Sequence, residues 1–404
     1  MTQLNWGLDQ DADYSALAAH FRPIFAEIRA GAQAREQRRE LLHKPLAALK
    51  ALRFGALRLP KQEGGYGATL PQLFALLAEL AAADSNVTQA LRAHFGFVEN
   101  LLASAESAKR QRWFPRLLRG DWIGNAWSET GEAKQGVFST SLLPQGEDYL
   151  LNGEKFYTTG SLYADWIAVG ASNQHHEWVS ATVDRHHPGV EVIDDWNGFG
   201  QRLTASGTTR FYNVPVKAEE ITKVDEAATS TDPAFYQLIH LATLAGIGRA
   251  AAEDVARLVR QRQRSYSHGN GSRAAQDPQI LQVVGKVQSA AWAAAGLVLH
   301  SATALQYAAD ARGDKEKADA ANQQAELAVA QAQTVIAELI LQAVNEVFDA
   351  LGASATAAEQ GLDRYWRNAR TLVSHNPRVY KARIVGELAV NGEAPLYQWR
   401  IGKA

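Results

Sequence analysis

The chain has 404 residues, 46% apolar and 21% charged, with a net charge of −2. That length suits two or three domains of an ordinary globular protein, and the near-neutral balance argues against a general nucleic-acid or membrane-surface role. With no cysteine, disulfides, thiolate-bound zinc, iron–sulfur clusters and thiol catalysis are excluded.

The first residues, Met1-Thr-Gln-Leu-Asn-Trp-Gly-Leu-Asp9, lack the basic region and apolar core of a signal peptide. No apolar run approaches the ~20 residues that span a bilayer, so a cytoplasmic location is expected. Residues 12–120 read as helical. Apolar residues recur at three- and four-residue spacing through Leu17–Phe25 and Leu70–Leu80. Asp84-Ser85 predicts an N-cap for a helix running through His94 towards Leu102. Leu59–Gly67 lies between as a glycine-rich turn.

From Trp122 to about Val216 short β-branched and aromatic runs alternate with Gly, Asn and Asp turns, which predicts a small antiparallel β domain. Asn152-Gly153 predicts a hairpin. Beyond Pro233 the pattern is helical again, with long segments expected over 234–267, 278–311 and 315–351. Helical patterns of that length predict a bundle packed against neighbours, often across subunits. The resulting class is α+β, with domains at 1–121, 122–217 and 218–404.

Two motifs resist their obvious readings. Gly246-Ile-Gly-Arg-Ala-Ala251 imitates a dinucleotide fingerprint, but that motif needs a strand before its turn, and here it sits inside a helical pattern as a site of close helix packing. His175-His176 and His186-His187 lack the i, i+4 spacing and carboxylates of a metal site and read as β-domain loop residues. More informative are the polar edge Gly124-Asn-Ala-Trp-Ser-Glu129, the cluster Phe156-Tyr-Thr-Thr-Gly160, Trp196 and Arg202–Ser206. Hydroxyls and aromatics on one small sheet suit a flat heteroaromatic ligand, while ordinary sheet packing with polar edges also accounts for them.

The α–β–α order, "LPKQEGGYG", "WSETGE", "NGEKFYTTGSLYADW" and "NVPV" together resemble the acyl-CoA dehydrogenase superfamily over nearly the whole chain. The resemblance implies an N-terminal helical domain, a central β domain, a C-terminal four-helix bundle and a homotetramer. Two departures matter. Where many of those dehydrogenases hold a Tyr-Glu pair whose glutamate removes an α-proton, this chain has His375-Asn376, and Gly246 to Arg249 offers no carboxylate for the alternative placement. Where they use a G-G-x-G turn near the adenosine half of FAD, this chain has Leu351-Gly-Ala-Ser-Ala-Thr356, and the missing second glycine favours the shorter FMN.

Both departures, with the "WRNART…H" ending, are similar to the flavin-dependent monooxygenases built on that fold, the group of dibenzothiophene monooxygenases and sulfur-acquisition oxidoreductases. The resemblance implies FMNH2 supplied by an NAD(P)H:flavin reductase, O2 addition at the flavin C4a carbon, and oxygen transfer to a small organosulfur or amine substrate, with an FAD-dependent acyl-CoA dehydrogenase as the alternative. By the same resemblance His94 and His375 flank the reacting flavin. Asn125, Trp127 and Ser128 line its polar edge, Tyr157 and Thr159 contact the ring with Thr159 at N5, and Trp196 and Ser206 lie towards the ribityl phosphate. Arg264 reaches the phosphate in an adjacent subunit, and Arg370, with Arg367, anchors the helix near the neighbouring cofactor. Val98 stands where dibenzothiophene monooxygenases have a tyrosine.

Overall fold

The computed structural model describes residues 6, 11–105, 107–130, 138–224 and 230–395. Helix α1 (Ala12–Arg38) starts on Asp11, whose carboxylate accepts from the Tyr14 amide at 2.6 Å, relieving one of the orphan N–H groups of a first turn. Its Tyr14, Ala18, Phe21, Phe25 and Ile28 form the buried stripe. After α2 (His43–Ala51), the glycine-rich turn folds tightly, since a Cβ on Gly65 would stand 2.2 Å from the Leu59 carbonyl. A Thr69–Gln72 capping box opens α3 (Leu70–Ala83), which is buried along nearly its whole length.

The single helix expected after Asp84 is two helices, α4 (Ser85–Ala90) and α5 (Arg92–Ala103), parted at Leu91. Asp84 is the cap, accepting from the Asn86 amide at 3.1 Å. The break coincides with intrusion of the β domain, where a Cβ on Gly160 would meet the Ala90 carbonyl at 2.2 Å. Helix α6 (Ser107–Arg119) completes the N-terminal part.

The sheet comprises β1 (Ile123–Ala126), β2 (Ser141–Gln145), β3 (Asp148–Lys155), β4 (Trp166–Ser172), β5 (Trp178–Asp184), β6 (Val190–Val192), β7 (Thr209–Val216) and β8 (Ile221–Lys223). Their order is β6-β7-β3-β2-β4-β5-β8, with β1 beside β4. Most pairs are antiparallel as expected, but β1 runs parallel to β4 along four residue pairs, and β8 extends the sheet beyond Val216. Leu142, Leu151, Ile167, Val169, Val179, Phe211 and Val214 alternate inward into one core. Asn152-Gly153 is not the hairpin. That turn falls between Gln145 and Asp148, and Asn152-Gly153 instead bulges β3 against β7, with Gly153 at φ 147° and the Asn152 side chain accepting from the Asn213 amide at 2.8 Å.

Three long helices follow, α7 (Asp232–Gln261), α8 (Pro278–Asp310) and α9 (Lys315–Leu351), then α10 (Asp363–Val373) and α11 (Val379–Asn391). Helix α7 stops six residues earlier than expected, closed by the Arg262 amide on Leu258 and Val259. Within it Gly246 and Gly248 serve packing, for added Cβ atoms would meet Ala81 Cβ and Ile340 Cδ1, each at 2.5 Å. Helix α9 is long and apolar enough to cross a membrane by composition, yet Ile336, Ile340, Val344 and Val347 are buried in the core of this fold.

A buried polar junction joins the three parts. The Arg35 guanidinium pairs with Asp84 at 2.9 Å, the Asn86 amide donates to Glu36 at 3.0 Å, and Glu36 in turn receives Arg367 of α10 at 3.0 Å. From the β domain, the Leu203 amide donates to Asn86 at 3.2 Å, the Gln201 amide to Asn368 at 2.5 Å, and the Gln201 side chain to Ser85 at 3.1 Å. Removing one partner of a buried pair strands the other. Asp84→Ala, which also uncaps α4, is therefore expected to cost about 3–5 kcal/mol in urea denaturation; a loss under ~1 kcal/mol would show the junction to be dispensable.

Candidate active site

The polar edge after β1 is held from behind by a buried ion pair. Lys155, fully enclosed, donates to Glu129 at 2.6 Å and to the Trp127 carbonyl at 3.3 Å, with its ammonium 3.7 Å from the Phe138 ring centroid. Burial pulls the Lys155 ammonium down to about 8 despite Glu129. Burial opposes ionisation of Glu129, but Lys155 and the Ser139 and Thr140 amides outweigh it and hold the carboxyl at about 2. This fixes the backbone that presents Trp127 and Ser128, both half-buried, and the Ser128–Phe156 bridge ties the edge to the end of β3. Residues of "WSETGE" beyond Thr130 lie outside the described residues. Asn125, half-buried on β1, offers its carbonyl to Ser161 Oγ at 3.0 Å.

Tyr157 follows β3 in the left-handed region at φ 60°, a costly backbone for a bulky residue. It is held by its neighbours: Thr158 N–H and Oγ1 both donate to the Gly207 carbonyl. The Tyr157 ring is 51% exposed and lies 6.1 Å from that of Trp196. Trp196 donates its indole N–H to the Gln201 carbonyl at 2.9 Å.

Behind Thr159 runs a chain of hydroxyls. Thr204 Oγ1 donates to the Gln201 carbonyl at 2.9 Å and lies 2.8 Å from Ser206 Oγ, which lies 2.7 Å from Thr159 Oγ1. A carbonyl only accepts, so the Thr204 proton is committed to it. Ser206 then donates to Thr204, and Thr159 to Ser206. Thr159 Oγ1 is thereby left as an acceptor towards the partly open side. Ser206 is buried between Thr159 and Thr204.

His94, on α5, is fully enclosed. Its Nδ1 accepts from the Ile123 amide at 3.4 Å, which places the proton on Nε2, where it donates to the Gly55 carbonyl at 3.0 Å. Trp122 stands edge-on at 4.8 Å. Burial lowers the imidazole to about 4. As placed, His94 is a neutral group bonded at both nitrogens.

His375 belongs to a different cluster. It lies just past α10, exposed on one face, with its ring 4.4 Å from that of His240 on α7. The protein packed around it, then the Arg92 charge, hold its imidazole below the ordinary range, with Asn376 opposing them. His240 is 1% exposed with both ring nitrogens unpartnered, and burial, His375 and Arg92 push it well down. Neighbouring Asn376 donates to Gln237 Oε1 at 2.7 Å, joining the α10–α11 turn to α7. Arg92 opens α5, donates through Nε to the Tyr236 carbonyl at 3.2 Å and lies over the Tyr236 ring.

His240, Arg92 and the Lys155–Glu129 pair were not among the sequence candidates. The available signal was Tyr236-Gln-Leu-Ile-His240, polar residues at i, i+1 and i+4 in an otherwise apolar stretch. Of the remaining candidates, Arg264 is exposed between α7 and α8 and bonds none of the others, as does half-buried Arg370 on α10. Arg367 is instead engaged with Glu36, Asp363 and the Phe199 carbonyl. Helix α10 ends at Val373, and Pro377 sits in the turn that starts α11. His175, His176, His186 and His187 occupy loops flanking β5, and among the described residues no group of three metal-ligating side chains forms.

Three models of acyl-CoA dehydrogenase domains match the chain in order: the N-terminal domain over residues 12–121, the middle domain over 127–214 and the C-terminal domain over 238–377. The chain belongs to the acyl-CoA dehydrogenase family. This family member is 27% identical over 387 residues to a dibenzothiophene monooxygenase of Mycolicibacterium goodii, covering 91% of this chain and 90% of that protein. It is 28% identical over 369 residues to a "Probable FMNH2-dependent monooxygenase" of Pseudomonas putida, covering 87% and 89%. It superposes on the crystal structure of FMN-bound TdsC from Paenibacillus sp. A11-2 with a TM-score of 0.86 and 26% identity, over 94% of this chain and 98% of that one.

The three histidines give this acyl-CoA dehydrogenase-fold chain a defined acid sensitivity. The unfolded His94 imidazole titrates near 6.5 and the enclosed one near about 4. Between those values only the unfolded chain takes up the proton, so stability falls as pH drops. His94 alone is expected to contribute ~2 kcal/mol of loss between about pH 7.5 and 5, measurable as a shift in urea midpoint. His94→Asn should flatten that dependence, and an unchanged slope would remove His94 as its source.

Proposed function

We propose that this family member is the oxygenase of a two-component flavin monooxygenase. It takes FMNH2 from a separate NAD(P)H:flavin reductase and uses O2 to oxygenate a heteroatom, sulfur first, of a small organic molecule. The observation that carries the reading is the makeup of the cluster at His375. The His375 ring stands 4.4 Å from that of His240, Asn376 donates to Gln237, Arg92 donates to the Tyr236 carbonyl, and among the described residues no carboxylate bonds any of these four groups. Abstraction of a thioester α-proton calls for such a base, so the acyl-CoA dehydrogenase alternative lacks its central group there.

The β-domain wall fits a flavin. Trp127 and the exposed Tyr157 present flat surfaces beside hydroxyl-bearing Ser128 and Thr159, and the enclosed Trp122 indole N–H lacks a partner. Bound reduced flavin supplies the oxygen-activating chemistry. Thr159 Oγ1, fixed as an acceptor, suits the N5–H of the reduced ring. His375 holds a proton at the open side of the site, and His94 braces Gly55 against β1. The names of the relatives support FMN and a sulfur substrate. A shorter cofactor also suits Gly352-Ala353, where the Leu351 carbonyl is already taken by Arg262.

A homotetramer in the cytoplasm completes the reading. Trp292 and Tyr307 of α8 are 56% and 69% exposed, and a groove of about 640 Å³ runs between α8 and α9 past Gly285 and Lys286. These features suit a buried face between copies, which would bring Arg264 of one subunit towards the cofactor of another.

Purified protein is expected to consume O2 and oxygenate an organosulfur compound only when FMN, NADH and a flavin reductase are all present. Tight copurified FAD with acyl-CoA-dependent dye reduction would overturn the reading. Separately, Thr159→Val should weaken FMNH2 about 10-fold in anaerobic titration while moving oxidised FMN under ~3-fold. Equal losses for both redox forms would show that Thr159 does not discriminate between them.

A further inference from the structure

Among the described residues Arg92 is a cation without a counter-charge. Elsewhere in the interior, Arg35 pairs with Asp84, Arg58 with Glu99, Arg116 with Glu220, Arg364 with Asp254 and Arg367 with Glu36. Arg92, half-buried at the start of α5, has no acid partner among the described residues. Only its Nε is bonded, to the Tyr236 carbonyl, and its two terminal amino groups hold no hydrogen bond. Nearby acids are otherwise engaged: Glu99 faces Arg58 and Arg312, and Asp232 is bonded to Asn100 and Ser230. A half-buried guanidinium with no counter-charge leaves its two terminal amino groups available to an anion from outside the chain.

What stands beside it is equally specific. His240 is enclosed with both nitrogens unpartnered, so whichever nitrogen bears the proton is a donor without an acceptor. His375 is 4.4 Å away and open on one face, and Asn376 is pinned to Gln237. Arg92 also occupies the first turn of α5, whose amides carry the positive end of the helix dipole. Three elements therefore converge with donors and a fixed positive charge, and the nearby carboxylates they carry, Glu99 and Asp232, are bonded elsewhere.

We propose that Arg92, flanked by His240 and His375, binds an anionic oxyacid group on the substrate. That group is a sulfinate, sulfonate or carboxylate carried by the small organosulfur molecule. This deepens the monooxygenase reading and rests on it for the place of the reaction. It separates the substrate classes that the sequence left open: a cationic amine is repelled by Arg92, and a neutral aromatic thioether leaves the guanidinium unmatched, whereas an oxyanion takes its two terminal amino groups in a fork.

The test measures binding, independently of turnover. The intact protein with FMN bound is titrated calorimetrically with an alkanesulfinate and with a neutral dialkyl sulfide of similar size. Wild type is expected to prefer the sulfinate, with affinity falling as salt rises. Arg92→Met should lose at least about 30-fold in sulfinate affinity, Arg92→Lys should recover part of it, and FMN affinity should move less than ~3-fold. His240→Phe, which leaves Arg92 in place, should weaken the sulfinate by a smaller factor and guards against misfolding of the arginine variants. Unchanged sulfinate affinity in Arg92→Met overturns the proposal. So does a loss of FMN affinity in its place, which would make Arg92 a phosphate ligand of the cofactor, or tighter binding of the neutral sulfide by wild type. Failure of the reductase-coupled assay with sulfinate binding intact would instead count against the monooxygenase reading alone.

Discussion

The arrangement depends on the buried junction of Arg35, Glu36, Asp84, Asn86, Gln201, Arg367 and Asn368. Apolar packing is non-directional and would let helical layers and a sheet slide past one another. Charged and amide groups withdrawn from water tolerate few geometries, because each misplacement leaves a buried polar atom unsatisfied. Here the two halves of the helical shell and the β domain share one such network. It sets the 196–207 turn, with Trp196 and the Thr204–Ser206 hydroxyls, against the start of α4, and it fixes α10, which leads into His375.

Two chemically distinct sides result. The β-domain side is rich in hydroxyl and aromatic groups, and the Lys155–Glu129 pair lies behind its surface. The helical side concentrates a cation and two uncharged imidazoles. On the proposed reading the flat cofactor belongs to the first of these surfaces and the small polar molecule to the second.

Much of the fold was legible in the chain. The α–β–α order, the Asp84 cap, α8, α9 and the packing role of Gly246 followed from periodicity and capping chemistry. What was missed has identifiable causes. Asn152-Gly153 has the composition of a two-residue turn, but Gly146-Glu147 closes the hairpin and the former pair is left to absorb a register slip between β3 and β7. The break at Leu91 coincides with the close approach of Gly160 to the Ala90 carbonyl, a contact far off in the chain that no local pattern reports. The site was legible where one segment carried it, as at Tyr157-Thr158-Thr159. It was opaque where helices contribute one residue each. Arg92 carried no signal of its own in the sequence, and its meaning appears only once it is seen that, among the described residues, no acid pairs with it.

The one-way chain from Thr159 through Ser206 and Thr204 to the Gln201 carbonyl bears on how a catalytic cycle closes. Such a chain is a diode for hydrogen bonding: reversing it would set Thr204 against a carbonyl with no proton between them. On the proposed reading the pocket grips the cofactor while the ring carries its hydrogen and loosens its grip once that hydrogen is gone. Departure of the spent cofactor is then driven by its own change of state, and the rigid junction beneath need not open to let it leave.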